Sequence, residues 1–510
     1  MSRLWPRTLG GLLSLVTLLV VAAPFGVSWY LADLRRHVSG QHDTPVTRVD
    51  PADLRRFAET AGRLPERAAP VVVAYHDIRP HGDDPAATTP GGREHYVVTP
   101  EAFDAQLTAL RTAGYRTISS AQYVDYLRGG EVPARSVYLT FDDGTRGLWS
   151  YADPILRRHR MVAASYLITG QVGTHRPYYL SWAEIDRMRR SGRWDFQAHT
   201  HDLHTRVQTA PGRLGSPLTH RRWEPTTGTQ ESLAAYRQRL TADFDAMFAA
   251  FTTHGLPRPR LFAYPFSEIG DATTDPQAAA FSRDLIAARF VGALTNKSLA
   301  PQPGSRRSAA DGQVERAEVY ATTDAAELVS AVVERTGVPA GVTDPFARAW
   351  DWRDQHGEPM TDLSPLTGGR FPADSPRRAY GTLLAYASAD WTGYTADATV
   401  RGLRADGGTV TVLVGVNGDA TVSVRVAHGR VALLRAGRVV AEAALDPAAT
   451  HRLAVTVRDG ETVARVDGGP ALRVVTPTGP GATGGLAVAI DDAQGRPHPS
   501  VAALTVTAVG

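Results

Sequence analysis

From residue 71 onward, short apolar runs rich in β-branched residues alternate with helical segments, and near residue 337 this rhythm gives way to period-two runs alone. One layer cannot host both patterns: a parallel strand buried on both faces is apolar throughout, whereas a half-exposed antiparallel strand alternates. The first pattern predicts strands over residues 71–75, 136–141, 161–168, 195–198, 261–264 and 290–294. Helices are expected between them, over 100–113, 151–160, 181–191, 230–254 and 276–289. Repeated strand–helix units make an α/β architecture, and their number suits a closed barrel better than an open sheet. The stretch 207–229, rich in Gly, Pro, Thr and Arg, reads as a long loop.

Beyond residue 337, alternating strands are expected over 394–403, 409–416, 420–427, 431–434, 452–458, 462–466, 485–490 and 501–509. Turns such as Asn417-Gly418, Asp459-Gly460 and Asp467-Gly468 separate them, as hairpins require. This half is predicted to be an all-β sandwich of the jelly-roll kind. The 510 residues then divide into an N-terminal membrane anchor (1–40), a stalk (41–68), the α/β barrel (69–335), a linker and domain start (336–383) and the sandwich (384–510). The anchor rests on a run without charge from Leu9 to Leu31, long enough for the roughly 20 apolar residues that a bilayer needs. A cleaved signal is the alternative, because Ala22-Ala23-Pro24 offers small residues, but the apolar run continues past them to Leu31. The stalk is polar and carries Pro45, Pro51 and Pro65.

The formal charge is only +3, and Lys297 is the single lysine, so the basic balance reflects arginine usage and not a patch for nucleic acid. The absence of cysteine excludes disulfides and thiolate ligands. A metal site must therefore be built from histidine and carboxylate. The sequence offers one such set. Asp142 and Asp143 end the apolar run 137–141, at the strand end that faces the active site in barrel folds. The next strand runs into His199-Thr200-His201-Asp202-Leu203-His204. Two imidazoles and one carboxylate leave positions open on a divalent ion, as a catalytic site needs for water. With His199 at the strand end and His204 on the following turn, His201 points elsewhere.

These residues resemble the polysaccharide deacetylases with the NodB-homology domain, carbohydrate esterase family four. Thr140-Phe141-Asp142-Asp143-Gly144 is similar to the first motif of that family, and the histidine segment to the second. The resemblance covers residues 69–335 and implies a distorted (β/α) barrel. It implies Asp142 as general base, with Asp143, His199 and His204 holding one divalent metal ion: zinc first, with cobalt, nickel or iron as alternatives. It also implies that a backbone N–H near Phe266 holds the oxyanion. Ala74-Tyr75-His76-Asp77-Ile78 and Phe262-Ala263-Tyr264-Pro265-Phe266 resemble the branch that deacetylates poly-β-1,6-N-acetylglucosamine, which implies Tyr75, His76, Tyr264 and Pro265 as substrate contacts. The implied partners are an N-acetylglucosamine polysaccharide and, through the N-terminal helix, the cell membrane, with the catalytic domain outside.

Two departures stand out. Ala263 occupies the place where many relatives have an arginine, so Asp142 must be oriented from elsewhere, with Arg316 as one candidate. No histidine lies between His254 and His356 to match the late histidine that acts as general acid in the family. That leaves Asp142 itself, His76, His201 or water. Glu224, Glu231 and Asp243, with Arg157, Arg158, Arg187, Arg189 and Arg190, read as solvated charge. The C-terminal half, around Trp391 and Tyr394, resembles concanavalin-A-like laminin-G/glucanase sandwiches, with those aromatics either contacting glycan or buried between sheets. Besides a deacetylase, the residues leave open a glycan-binding surface protein without activity. A glycoside hydrolase is a third reading, but its acids should stand about 5–9 Å apart on different strands, unlike the adjacent Asp142 and Asp143.

Overall fold

The computed structural model describes residues 40–509 except 63, 66–67, 82–93, 271–274, 370–376, 406, 417–420, 479–483 and 493–497. The expected anchor thus lies outside the described residues, among which no helix is long and apolar enough to cross a membrane.

Eight strands form the barrel of the first domain: β1 Val71–Tyr75, β2 Ser136–Phe141, β3 Ala163–Leu167, β4 Trp194–Ala198, β5 Leu261–Ala263, β6 Gly292–Thr295, β7 Val314–Glu315 and β8 Ala317–Glu318, with the two-residue strand Arg116–Thr117 paired beside β2. They pair in parallel in the order β1 to β7, and β8 pairs with β1. β7 and β8 are separated only by Arg316, so the chain steps from one edge of the sheet to the other at that residue and nearly closes the barrel. The Arg316 backbone N–H donates to Thr295 O across the step. Parallel strands covered on both faces read as continuous apolar runs, and β1, β2 and β3 are buried at every position. The outer helices include Pro100–Thr112, Trp182–Arg190, Leu233–Thr253, Pro276–Arg289 and Ala325–Arg335, each opened by a side-chain cap from Thr99, Ser181, Ser232, Asp275 or Asp324. Strands β7 and β8 and the helix Ser120–Leu127 are too short to show periodicity and were not expected. The supposed loop 207–229 contains two small hairpins, Val207–Ala210 with Arg213–Gly215 and Trp223–Glu224 with Thr229–Gln230.

The stalk expectation needs correction. Residues 41–61 fold back on the barrel: the His42 N–H donates to Ser150 O, the Thr47 N–H reaches the buried Asp104 carboxylate, and Phe57 of the helix Pro51–Ala61 joins the barrel core. The helix has one apolar side, with Leu54 and Phe57 on the same face, and that side gains from cover.

The second domain is a sandwich of a six-stranded and a seven-stranded antiparallel sheet. Inward residues alternate with outward ones, as in Tyr394–Arg401. Its outermost strands, Gly341–Val342 and Trp352–Arg353, and Arg378–Leu383 all precede residue 384, so the sandwich starts near 341. Trp391 is buried, edge-on to Tyr394, with its indole N–H donating to Val338 O, and the Tyr394 hydroxyl donates to Gly485 O. Both serve packing and present no face to a glycan.

Candidate active site

Parallel strands in a barrel end at the same mouth, so residues distant in sequence converge wherever each directly follows a strand. Asp142 and Asp143 follow β2, His199 follows β4, the turn Tyr264-Pro265-Phe266 follows β5, and Asn296 follows β6. All but Pro265 surround a cavity of about 430 Å³ whose walls also include His76, Asp77, His204, Glu318 and Tyr320.

Asp143 Oδ1 lies 3.6 Å from His199 Nε2 and 3.3 Å from His204 Nε2. The three ligand atoms fall within 4.8 Å of one another. Asp143 Oδ1 is buried without a hydrogen-bond partner, a costly state for a carboxylate oxygen unless a cation takes its lone pairs. His199 Nδ1 lies 2.8 Å from Ala263 O; donation there puts the proton on Nδ1 and leaves the Nε2 lone pair facing Asp143. This donor set fits a divalent metal. Non-glycine residues in the left-handed region cluster at the site: Asp143 at φ 69°, Thr200 at φ 72° and Phe266 at φ 61°. Such strain persists only where surrounding contacts fix the conformation.

Asp142 is clamped by Arg316, with Nη1 donating to Oδ1 at 2.8 Å and Nη2 to Oδ2 at 2.7 Å. The clamp is itself held, because Arg316 Nε donates to Asn296 Oδ1 at 2.7 Å and Asn296 Nδ2 donates to Glu318 Oε1 at 2.6 Å. Arg316 therefore supplies from the β7–β8 step what Ala263 cannot. Burial pushes the Asp142 carboxyl up, but the guanidinium outweighs it and holds the carboxyl below its ordinary value. Asp143 is likewise held down, against burial, by His204 and His199. His199 is raised, because the two carboxylates outweigh its burial.

Among the other expected site residues, His76 lines the cavity and packs against Tyr96, ring centroids 4.3 Å apart. Its Nδ1 is buried without a hydrogen-bond partner. Tyr264 and Phe266 also line the cavity; the Tyr264 hydroxyl donates to Gly312 O, and Arg206 lies over the Phe266 ring at 4.4 Å. Tyr75 and Pro265 do not line it. Tyr75 is 0% exposed, its ring stacked on Phe141 and its hydroxyl donating to Gln106 Oε1. Successive strand side chains point to opposite faces, so Tyr75 enters the core under the helix Pro100–Thr112 while His76 turns to the mouth. Pro265 is buried within its turn. His201 sits outside the cavity, with Nδ1 beside the Thr169 hydroxyl.

Two carboxylates expected to be solvated are structural. Asp243 accepts the backbone N–H groups of His201 and Asp202 and so fixes the ligand segment; Glu231 pairs with Arg239. Arg158, expected on the surface, binds the buried Asp104. Sequence reasoning passed over Tyr96, Tyr178, Arg206, Glu318 and Tyr320 in the cavity wall, because isolated aromatics and charges on loops and two-residue strands carry no periodic or motif signal.

Residues 129–281, within the barrel, match the family described as polysaccharide deacetylase. Over 146 residues the chain is 31% identical to the poly-β-1,6-N-acetyl-D-glucosamine N-deacetylase of Staphylococcus epidermidis, covering 27% of this chain and 50% of that protein. To the protein so named in Staphylococcus aureus strain MSSA476 it is 32% identical over 124 residues, 24% of this chain and 43% of that one. The chain thus spans about half the length, or less, of these curated relatives. Among solved structures, the BpsB deacetylase domain of Bordetella bronchiseptica is 25% identical, with a TM-score of 0.39 over 50% of this chain and 97% of that one.

Proposed function

We propose that this protein is a metal-dependent N-deacetylase acting on a β-1,6-linked N-acetylglucosamine polysaccharide at the cell surface. The observation that carries the reading is one cavity holding both a histidine–carboxylate set with an orphaned Asp143 Oδ1 and a separate carboxylate, Asp142, kept ionised by Arg316. The matched relatives' names supply the linkage.

Asp143, His199 and His204 would hold the ion, zinc first, and cobalt, nickel or iron suit the same donors. When bound, it supplies Lewis acidity and lowers the pKa of a water toward about 7. Asp142 takes the proton of the attacking water on a carboxylate lone pair that Arg316 leaves unused. The Phe266 backbone N–H, on the strained turn after β5, donates to the oxyanion. His76, at the cavity wall, enters the step protonated, gives that proton to the departing amine nitrogen and is recharged by the proton that Asp142 took. Tyr96, Tyr264, Phe266 and Tyr320 offer ring surface and hydroxyls to the sugars. The apolar run 9–31 supports a membrane anchor with the catalytic domain outside, where such a polymer is found.

Acetate release from β-1,6 and β-1,4 N-acetylglucosamine oligomers tests the activity, with and without chelator and with Asp142→Asn and His199→Ala. Release that is fastest on β-1,6 oligomers and abolished by chelator and by either substitution is expected. Metal binding and glycan binding without any release would replace the enzyme by a binding protein. Fractionation tests the anchor: recovery of the full chain in the soluble fraction after carbonate washing of membranes would remove it.

A further inference from the structure

The sandwich domain reaches the strand step that carries Arg316. Tyr386, in the turn after the sandwich strand Arg378–Leu383, donates its hydroxyl to Glu315 Oε1 at 2.5 Å. Glu315 is the last residue of β7, buried, and covalently next to Arg316. Its other oxygen, Oε2, accepts the Ser298 hydroxyl. Ser298 lies two residues beyond Asn296, which holds Arg316 Nε. Glu315 therefore ties down both supports of the arginine: the β7–β8 step in which it sits and the loop after β6 that braces it. Tyr386 is further fixed by Arg335, whose guanidinium lies 4.4 Å over its ring and whose Nη2 is 3.7 Å from Glu315 Oε1. The phenol comes from the second domain, so a barrel without the sandwich lacks this contact.

We infer that the β-sandwich is part of the catalytic apparatus, with Tyr386 and Glu315 acting as positioning residues that hold Arg316, and through it Asp142, in register. The inference rests on the deacetylase reading for its kinetic consequence but not for its structural one. A part-buried hydrogen bond between a phenol and a carboxylate is directional and charge-assisted, and it adds a side-chain tie to a step whose backbone pairing with β6 and β1 is limited to strands of two residues each. Displacing a catalytic group by about 1 Å can cost about a hundredfold in rate. A phenylalanine at 386 keeps the ring and its cation–π contact while deleting only the hydroxyl.

The test uses the full chain with Tyr386→Phe, Glu315→Gln and, as an interface control, Asp390→Asn, which breaks the Arg307–Asp390 pair elsewhere between the domains. Three quantities are measured: kcat and KM for acetate release, bound metal, and hydrogen exchange of the backbone amides of residues 314–318. Tyr386→Phe and Glu315→Gln are expected to lower kcat by about tenfold, within the range for a slightly misplaced group. KM and metal content should stay at the parent values, and exchange at 314–318 should quicken. Asp390→Asn should change none of these. Parent kcat in Tyr386→Phe, or an equal loss in Asp390→Asn, overturns the assignment. If the unsubstituted protein releases no acetate, the deacetylase reading fails separately, and unchanged exchange at 314–318 in Tyr386→Phe then overturns this inference by itself.

Discussion

Replacing Arg316 by methionine probes the feature on which the proposed chemistry most depends. The side chains of Arg316 and Asp142 are 0% and 3% exposed, and their two hydrogen bonds are 2.8 and 2.7 Å long. Methionine fills much of the same volume but offers no donor, so it leaves a buried carboxylate without its counter-charge. Breaking one side of such a pair costs about 3–5 kcal/mol, far more than the about 0–1 kcal/mol of a surface pair. Burial then dominates the Asp142 carboxyl and raises its proton affinity, which relieves part of that cost and also removes the base. The variant is therefore expected to lose about 3–5 kcal/mol of barrel stability and about 10²–10⁴-fold in acetate release, the usual worth of general base catalysis. Urea unfolding in chelator measures the first quantity without linkage to metal. The second comes from single-turnover kinetics with metal restored. The double variant Asp142→Asn/Arg316→Met removes both charges, so it should be more stable than the sum of the single losses by more than about 1 kcal/mol while remaining inactive. A single-variant loss below about 1 kcal/mol, or additive losses in the double variant, would refute the argument that the pair is a buried and mutually dependent unit.

Metal should bind in a 1:1 ratio and raise the unfolding free energy of the protein by about 2.7 kcal/mol at a hundredfold excess over Kd; His204→Ala, which deletes one ligand, should lose that gain in a thermal scan. Asp104, fully buried and bonded to Arg158, His159 and the Thr47 N–H, is held well below the usual carboxylate range, because these donors outweigh its burial. Its contribution is therefore present above the unfolded carboxyl pKa of about 3.9 and is lost as pH falls through the lower folded value. The deficit of Asp104→Asn, about 3–5 kcal/mol at pH 7, should narrow below pH about 4 in urea titrations. Trp391→Ala should destabilise the sandwich by about 3–5 kcal/mol and leave any glycan affinity of that domain unchanged, as read by calorimetry on the folded variant.

Much of the site was legible because its signals are local. Asp142-Asp143 closes an apolar strand, His199 and His204 follow the strand at 194–198, and the turn at Phe266 follows the strand at 261–263. Each element places its own residues at the barrel mouth whatever its neighbours do. Tyr75 was misplaced because inward and outward positions on a strand buried on both faces look alike in sequence, and only packing under the helix Pro100–Thr112 distinguishes them. Asp243 and Glu231 read as ordinary charged residues, since the pairing of a carboxylate depends on donors brought by other segments. The fold-back of residues 41–61 was hidden for the same reason: its partners lie far along the chain, Asp104 57 residues beyond Thr47 and Ser150 farther still beyond His42.

By itself, then, the sequence determined the two classes of domain and pointed to the residues proposed as ligand set and base, since strand periodicity and residues flanking a strand end are encoded within a few positions. The tertiary structure alone decided what holds the base and what braces that hold. Arg316 meets Asp142 across 174 residues, through the pairing of β8 on β1, and Tyr386 meets Glu315 across 71. Such contacts follow from strand register and from the docking of one domain on another, both set by the sum of many packing interactions and spelled by no short stretch of chain.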